Sequence, residues 1–177
     1  MRRLFVAIRP PDRIRSLLLA IMGGVSGARW VDDDQIHLTV RFIGEVDRHQ
    51  AHDVDAALAG MHHPRFEISL DGIGTFARRG QPEVIWAGVT PHGPLKRLHE
   101  KVDRAVAQVG FRPEQRAYTP HITLGRLKRS SGTVGSLLEQ SGGLSSEPFP
   151  VDSLILYESK LTPQGAVYTP VHHYPLD

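Results

Sequence analysis

Two short segments carry the residues best suited to chemistry: His37-Leu38-Thr39-Val40 and His121-Ile122-Thr123-Leu124. On extended backbone, residues two apart share a face. Each segment therefore sets one imidazole beside one hydroxyl and turns its aliphatic residues the other way. Imidazole titrates near pH 6.5, so one ring can serve as a neutral base while a second, held protonated by a nearby anion, serves as an acid. Displacement at the phosphorus of a diester needs a deprotonated entering oxygen and a protonated leaving oxygen on roughly opposite sides. Two histidines and two hydroxyls meeting about a pseudo-twofold axis would supply that arrangement. A single His-x-Thr is commonplace on a strand; two copies at matching stations of a repeat carry the inference.

Other uses of these residue types fit less well. Catalytic zinc sites take three protein ligands, often at spacings such as His-x-x-x-His, and neither motif histidine stands in such a spacing. The dipeptides His62-His63 and His172-His173 point their rings to opposite faces of an extended chain, which assigns them surface or lining roles. The acidic run Asp32-Asp33-Asp34 is expected to be a solvated turn. No Gly-x-Ser-x-Gly elbow, Walker loop or complete Gly-x-Gly-x-x-Gly occurs, and Gly72-Ile73-Gly74 is an isolated fragment. No metal and no cofactor are expected.

Composition narrows the class further. The 177 residues are 40% hydrophobic and 23% charged, ordinary globular usage, enough for one domain with its own core. Twenty-one Lys and Arg against nineteen Asp and Glu give a formal charge of +2, too small for binding driven by a basic coat, so any nucleic-acid contact must be local. The absence of cysteine excludes disulfides, thiolate metal sites and a cysteine nucleophile, and fits a reducing compartment. No apolar run approaches the roughly 18 residues that span a bilayer, and residues 1–8 are too short for a signal core. A soluble cytoplasmic protein is expected.

The elements that must position the motifs follow from periodicity. Residues 4–8 form a strand stopped by Pro10 and Pro11, and Ile14, Leu17, Leu18 and Ile21 recur at helical spacing up to Gly23 and Gly24. Residues 36–43 are expected as a strand and 48–58 as a polar helix. Phe66, Ile68 and Leu70 alternate as a half-buried strand running into residues 72–76. The order then repeats: strand 84–89, a helix with Leu95, Leu98, Val102 and Val106 on one face, strand 121–127, a short helix 134–138, and strands 151–157 and 166–174. Residues 72–82 and 142–150, rich in Gly, Pro and Ser, are expected as connectors.

Aligning the halves sets Phe5 near Trp86, Pro10 near Pro91, and the first His-x-Thr-x on the second. This is an internal duplication of about eighty residues, with too few copies for a solenoid. The expected fold is α+β: a single bilobal domain over residues 1–177, with repeat halves of roughly 1–80 and 81–177. The lobes are pseudo-symmetric, each an antiparallel sheet with helices on its outer face, and the active site lies in the cleft between them.

The paired motifs resemble those of the two-histidine phosphoesterase superfamily, and the chain is similar to its bacterial and archaeal RNA 2',3'-cyclic phosphodiesterase branch, the 2'-5' RNA ligase family. The likeness runs through residues 2–8 with Phe5, Arg29-Trp30-Val31, residues 37–45, 72–76 and 82–88, Tyr118-Thr119-Pro120 with residues 121–126, residues 156–159, and Tyr168-Thr169-Pro170. It implies hydrolysis of RNA 2',3'-cyclic phosphate ends, or of nucleotides so terminated, to 2'-phosphates without metal. His37 and His121 would be the catalytic pair, with His121 taken as base and His37 as acid. Thr39, Thr123 and Arg126 would hold the phosphate, and Phe5 and Phe42 would flank the nucleoside.

On residues alone Phe5 falls in an apolar run that suits the core, and for Phe42 core and site are equally open. Phe42 and Arg126 each lie five residues after their motif histidine, so strict alternation would point both away from the cleft unless a bulge or strand end turns them back. Arg78, Arg79, Lys128 and Arg129 are candidate contacts for RNA beyond the terminal nucleotide. No membrane and no obligate protein partner are implied, and a monomer is expected. Three alternatives stay open: a binding module without turnover, a metal-dependent phosphohydrolase, and a ligase or other cyclic nucleotide phosphodiesterase using the same site.

Overall fold

A computed structural model describes residues 1–177. Its elements, in chain order, are β1 (Arg2–Ile8), α1 (Asp12–Ile21), β2 (Arg29–Trp30), a 3₁₀ turn (Asp33–Gln35), β3 (Leu38–Val46), α2 (Arg48–Ala59), β4 (Phe66–Arg78), β5 (Gln81–Thr90), α3 (His92–Gln108), β6 (Ile122–Arg126), α4 (Gly135–Ser141), β7 (Phe149–Val151), β8 (Ser153–Thr162) and β9 (Gly165–Pro175). The helices form where their apolar spacing demands a partner. In α3, Leu95, Leu98, Val102 and Val106 are all buried. In α1 the burden falls on Ile14 and Leu18, and Leu17, expected inward, is exposed. A capping box starts α2: the Gln50 N–H donates to the Asp47 carboxylate at 2.8 Å, and the Asp47 N–H donates to Gln50 Oε1 at 2.9 Å.

The strands make one nine-stranded antiparallel sheet in the order β7-β4-β5-β6-β3-β1-β8-β9, with β2 alongside β6. All four helices and one face of this sheet share a single core cluster of 31 buried residues, including Leu38 and Val40 of β3 and Ile122 and Leu124 of β6. The fold is thus α+β, with helices on one face and the opposite face open. The sheet has two halves. One holds β1, β3, β8 and β9, so the beginning and end of the chain lie together; the other holds β4 to β7 with β2. They join through one backbone pair, Leu38 with Ile122.

Several boundaries differ from the sequence expectation. The 3₁₀ turn delays β3, so His37 stands just before the strand rather than within it, and His121 likewise precedes β6. Residues 72–82 do not form a long connector: β4 and β5 pair through most of that stretch and turn only at Arg79 and Gly80, both at positive φ. The short β2 was not anticipated, because two residues carry no readable period. No helix is long and apolar enough to cross a membrane.

Candidate active site

An antiparallel strand pair has a local twofold axis normal to the sheet, and here it passes through Leu38 and Ile122. His37 and His121 each precede that pair by one residue, and Thr39 and Thr123 each follow it. All four side chains therefore lie on the open face while the residues between them fill the core. Both imidazoles are captured in the same way. His37 Nδ1 donates to the carbonyl of Gln35 and His121 Nδ1 to the carbonyl of Thr119, each at 2.7 Å. A carbonyl only accepts, so Nδ1 must carry the proton, and each neutral ring presents the Nε2 lone pair to the open face. The Thr39 hydroxyl, 2.9 Å from His37 Nε2, donates to it.

Burial lowers the pKa of His37 to about 4, and the nearby positive charges of His121, Arg9 and Arg126 push in the same direction. Burial also lowers that of His121, with Arg126 adding to the effect. His37 therefore senses the charge of the other ring. An anion between them would reverse the sign of this environment and raise both values.

Bulges resolve the parity of Phe42 and Arg126. Along β1 and β3, Ala7 pairs with Thr39 and Phe5 with Phe42, which leaves Val40 and Ile43 as extra residues. Ala7 and Phe5 share a face, so Thr39 and Phe42 do too. Along β5 and β6, Trp86 pairs with Thr123 and Val84 with Arg126, and Leu124 is the extra residue. The fourth position of each motif is thus a bulge that keeps its own side chain in the core and swings the fifth residue after the histidine onto the open face. Phe42 is 63% exposed, which excludes a core role. Arg126 is exposed without a carboxylate partner, close enough to shift His37, His121 and Tyr168.

Aromatic rings wall both histidines. His37 lies 4.9 Å from Phe5 and 5.2 Å, edge-on, from Tyr168, while Tyr157 stacks on Phe5 at 5.2 Å and Phe42 stands 6.0 Å from it. Phe5 is buried, yet in a small cluster with Ala7, Ile155 and Tyr157 on the site side rather than in the main core. His121 meets the edge of Phe76 at 4.8 Å, with Trp86 5.4 Å beyond. Trp86 lies flat on Gly74, where a Cβ would come within 2.5 Å of the indole. Phe76, Trp86, Tyr157 and Tyr168 received no site role from the sequence. Only their coincidence with the family landmarks could have marked any of the four.

Polar anchors outside the site hold this geometry. The Gln35 side chain donates to Ala166 O and accepts from the Asp32 N–H, both at 2.8 Å, locking the turn whose carbonyl orients His37. Arg9 donates to the carbonyls of Asp33 and Ile36 at 2.6 and 2.9 Å, and Arg15 pairs with the Asp33 carboxylate at 2.8 Å. The acidic run is therefore not wholly solvated. Beyond Leu38, β3 and β6 splay, and the freed carbonyls of β3 need donors. Tyr118 O–H supplies Thr39 O at 2.8 Å, His99 Nδ1 supplies Val40 O at 2.7 Å, and Arg41, itself paired with Asp103 at 2.8 Å, supplies Phe42 O. Tyr118 and His99 stack at 4.3 Å, wedged where the strands part.

The remaining histidines lie elsewhere. His172 and His173 do point to opposite faces: His172 reaches Asp55 of α2 at 2.9 Å, and His173 pairs with Ile155 on the other side. His62 stands 3.6 Å from the Asp177 carboxylate. No group of three or more His, Asp or Glu side chains is gathered tightly enough to hold a metal ion.

An open sheet face carrying two matched His-x-Thr stations defines a paired-histidine phosphoesterase architecture, and comparison with known proteins gives the family. The model of the 2'-5' RNA ligase superfamily matches residues 7–162. An RNA 2',3'-cyclic phosphodiesterase of Aeropyrum pernix is 38% identical over 141 residues, covering 78% of this chain and 80% of that one. Its namesake from Archaeoglobus fulgidus is 34% identical over 169 residues, covering 94% and 96%. Among solved structures, apo E. coli LigT superposes with a TM-score of 0.79 at 27% identity over 99% of this chain and 97% of that one, and TT0787 of Thermus thermophilus with 0.79 at 27% over 98% and 97%. The chain belongs to the 2'-5' RNA ligase superfamily. It is an enzyme, a phosphodiesterase of that group.

Proposed function

We propose that the protein hydrolyses RNA 2',3'-cyclic phosphate ends to 2'-phosphates without a metal, as a cytoplasmic monomer. The names of the relatives support the substrate class. The observation that carries the mechanism is the Leu38–Ile122 pair with its two matched Nδ1 captures, which leaves both Nε2 atoms on one open face.

In this scheme the nonbridging oxygens sit on Thr39, Thr123 and Arg126, and the nucleoside lies along Phe5 and Phe42. The oxygen O3' leaves from the nucleoside, which places it toward His37, the ring packed among those aromatics. Water approaches from the more open His121 side. His121 takes a proton from water as the new P–O bond forms, the P–O3' bond breaks, and His37 gives its proton to O3', leaving the phosphate on O2'. His37 holds a proton weakly in the free protein, and the bound anion raises that affinity and so loads the acid. The bulges at equivalent motif positions support descent of the halves, roughly 1–80 and 81–177, from one duplicated unit.

The test is incubation of a cyclic-ended oligoribonucleotide with the protein in excess chelator, followed by identification of the phosphate position. A 2'-phosphate is expected. A 3'-phosphate, or activity that vanishes in chelator and returns with a divalent cation, would overturn the scheme.

A further inference from the structure

Arg29 and Arg126 stand directly opposite each other on β2 and β6. Residues so paired project from the same face, and Arg126 is on the open face, so Arg29 is there as well. Its neighbour Trp30 turns the other way, packing against the core and over Gly125, where a Cβ would come within 2.9 Å of the indole. The Arg29 guanidinium reaches across to the β8–β9 turn, where Gly165 adopts φ +117 and a Cβ would come within 2.5 Å of its Nη2. Glycine leaves the space in which that guanidinium sits, so Arg29 spans from β2 to a hairpin of the other sheet half.

Like charges placed directly opposite on paired strands repel and destabilise the pair. Neither guanidinium has a carboxylate partner, and neither donates a hydrogen bond within the protein. The other half of the sheet shows the usual solution: on the same face of β1 and β3, Arg3 is paired opposite Glu45, with an ion pair of 3.4 Å. On this face one half of the sheet thus holds a neutralised cation and the other two uncompensated ones.

We propose that Arg29 is a chain-recognition residue: Arg126 holds the reacting phosphate, and Arg29 beside it takes the neighbouring phosphodiester, so that the enzyme selects RNA chains over mononucleotides. This rests on the phosphodiesterase reading above. Exposed cations Arg78, Lys128 and Arg129 continue beyond this pair. Arg78 shares the face of Phe76 two residues away on β4, and Lys128 and Arg129 line a cavity of about 300 Å³ with Gln81 and Pro82. Arg78 thereby extends the positive face, and Lys128 and Arg129 stand at its edge.

The experiment compares kcat/KM for a mononucleoside 2',3'-cyclic phosphate and for a short cyclic-ended oligoribonucleotide. Arg29→Gln is expected to lower the oligonucleotide-to-mononucleotide ratio about tenfold, the scale of one charge-assisted phosphate contact. Arg29→Lys restores part of it, because the charge remains without the planar fork, and Arg3→Gln leaves it unchanged. The salt dependence of the oligonucleotide reaction should become shallower by about 0.7 in logarithmic slope. An unchanged ratio in Arg29→Gln, or an equal fall for both substrates, overturns the assignment. If the unaltered protein turns over neither substrate, the phosphodiesterase reading itself fails. Arg29 is then judged by binding of the same oligoribonucleotide at two salt concentrations, where affinity unaffected by Arg29→Gln overturns its role.

Discussion

Leu38 and Ile122 form the one backbone pair between β3 and β6, and each is the residue between the histidine and threonine of its motif. Both are fully buried in the shared core. The two motif stations are therefore registered against each other by apolar residues that face the core. The same pair fixes the twofold relation between the imidazoles and joins the sheet halves.

In the proposed mechanism replacing either imidazole removes one proton-transfer role, so His37→Ala and His121→Ala should each lower kcat on cyclic-ended RNA by roughly 10²- to 10⁴-fold, with the circular dichroism spectrum unchanged. An aryl phosphodiester separates the roles, because its phenolate leaves without a proton. On that substrate His37→Ala should recover most of its lost rate and His121→Ala should not. The reverse pattern would exchange the acid and the base.

Both histidines have lowered pKa values in the free protein, His37 to about 4 from 6.5. The proposed mechanism needs one proton across the pair, so kcat/KM should follow a bell whose maximum lies on the acid side of pH 6.5. The profile of kcat, which reports the bound state, should lie at higher pH because the phosphate raises both values. The unfolded chain binds a proton more readily than folded His37, so stability should fall as pH drops from about 6.5 toward about 4. Chemical denaturation across that range, with His37→Asn as the flatter comparison, measures this.

Tyr118→Phe keeps the ring stacked on His99 and deletes only the hydroxyl that satisfies the Thr39 carbonyl. A cost of about 1 kcal/mol in stability is expected from a lost hydrogen bond. Misplacement of the Thr39 station should lower kcat several-fold with little change in KM, since the aromatic wall is untouched. A variant with reduced stability and wild-type kcat would confine Tyr118 to the fold.

Phe42 and Leu38 make an informative contrast four residues apart. Phe42→Ala, at an exposed position, should change stability by less than about 0.5 kcal/mol yet raise KM for nucleoside-bearing substrates. Leu38→Ala should cost about 2–5 kcal/mol from its buried cavity. Thermal melts and steady-state kinetics on the two variants read both effects.

The motifs, their facing and the order of elements were legible because each depends on local spacing: alternation for His37 and Thr39, helical periodicity for Leu95 to Val106, and turn residues for the breaks. The bulges at Val40 and Leu124 were not, since an extra residue in a strand is defined only against its partner. Sequence parity could pose the problem of Phe42 and Arg126 but not locate the answer. The roles of Tyr118, which stood only among the family landmarks, and of His99 escaped notice for a related reason: their task arises only where two strands part and strand carbonyls lose their partners. Phe5 was ambiguous because burial on the site side and burial in the core give the same apolar run. Arg29 took its meaning from the strand opposite it, a pairing that two residues of sequence cannot announce.

Catalysis in this scheme requires two rings acting on one phosphorus. The most direct measurement is a titration of the protein with a nucleoside 2'-phosphate, followed by nitrogen NMR of the His37 and His121 side chains, each assigned with its Ala variant. One equivalent should shift both Nε2 signals together and raise both pKa values. A response at only one histidine, or separate responses saturating at different stoichiometries, would contradict a shared site.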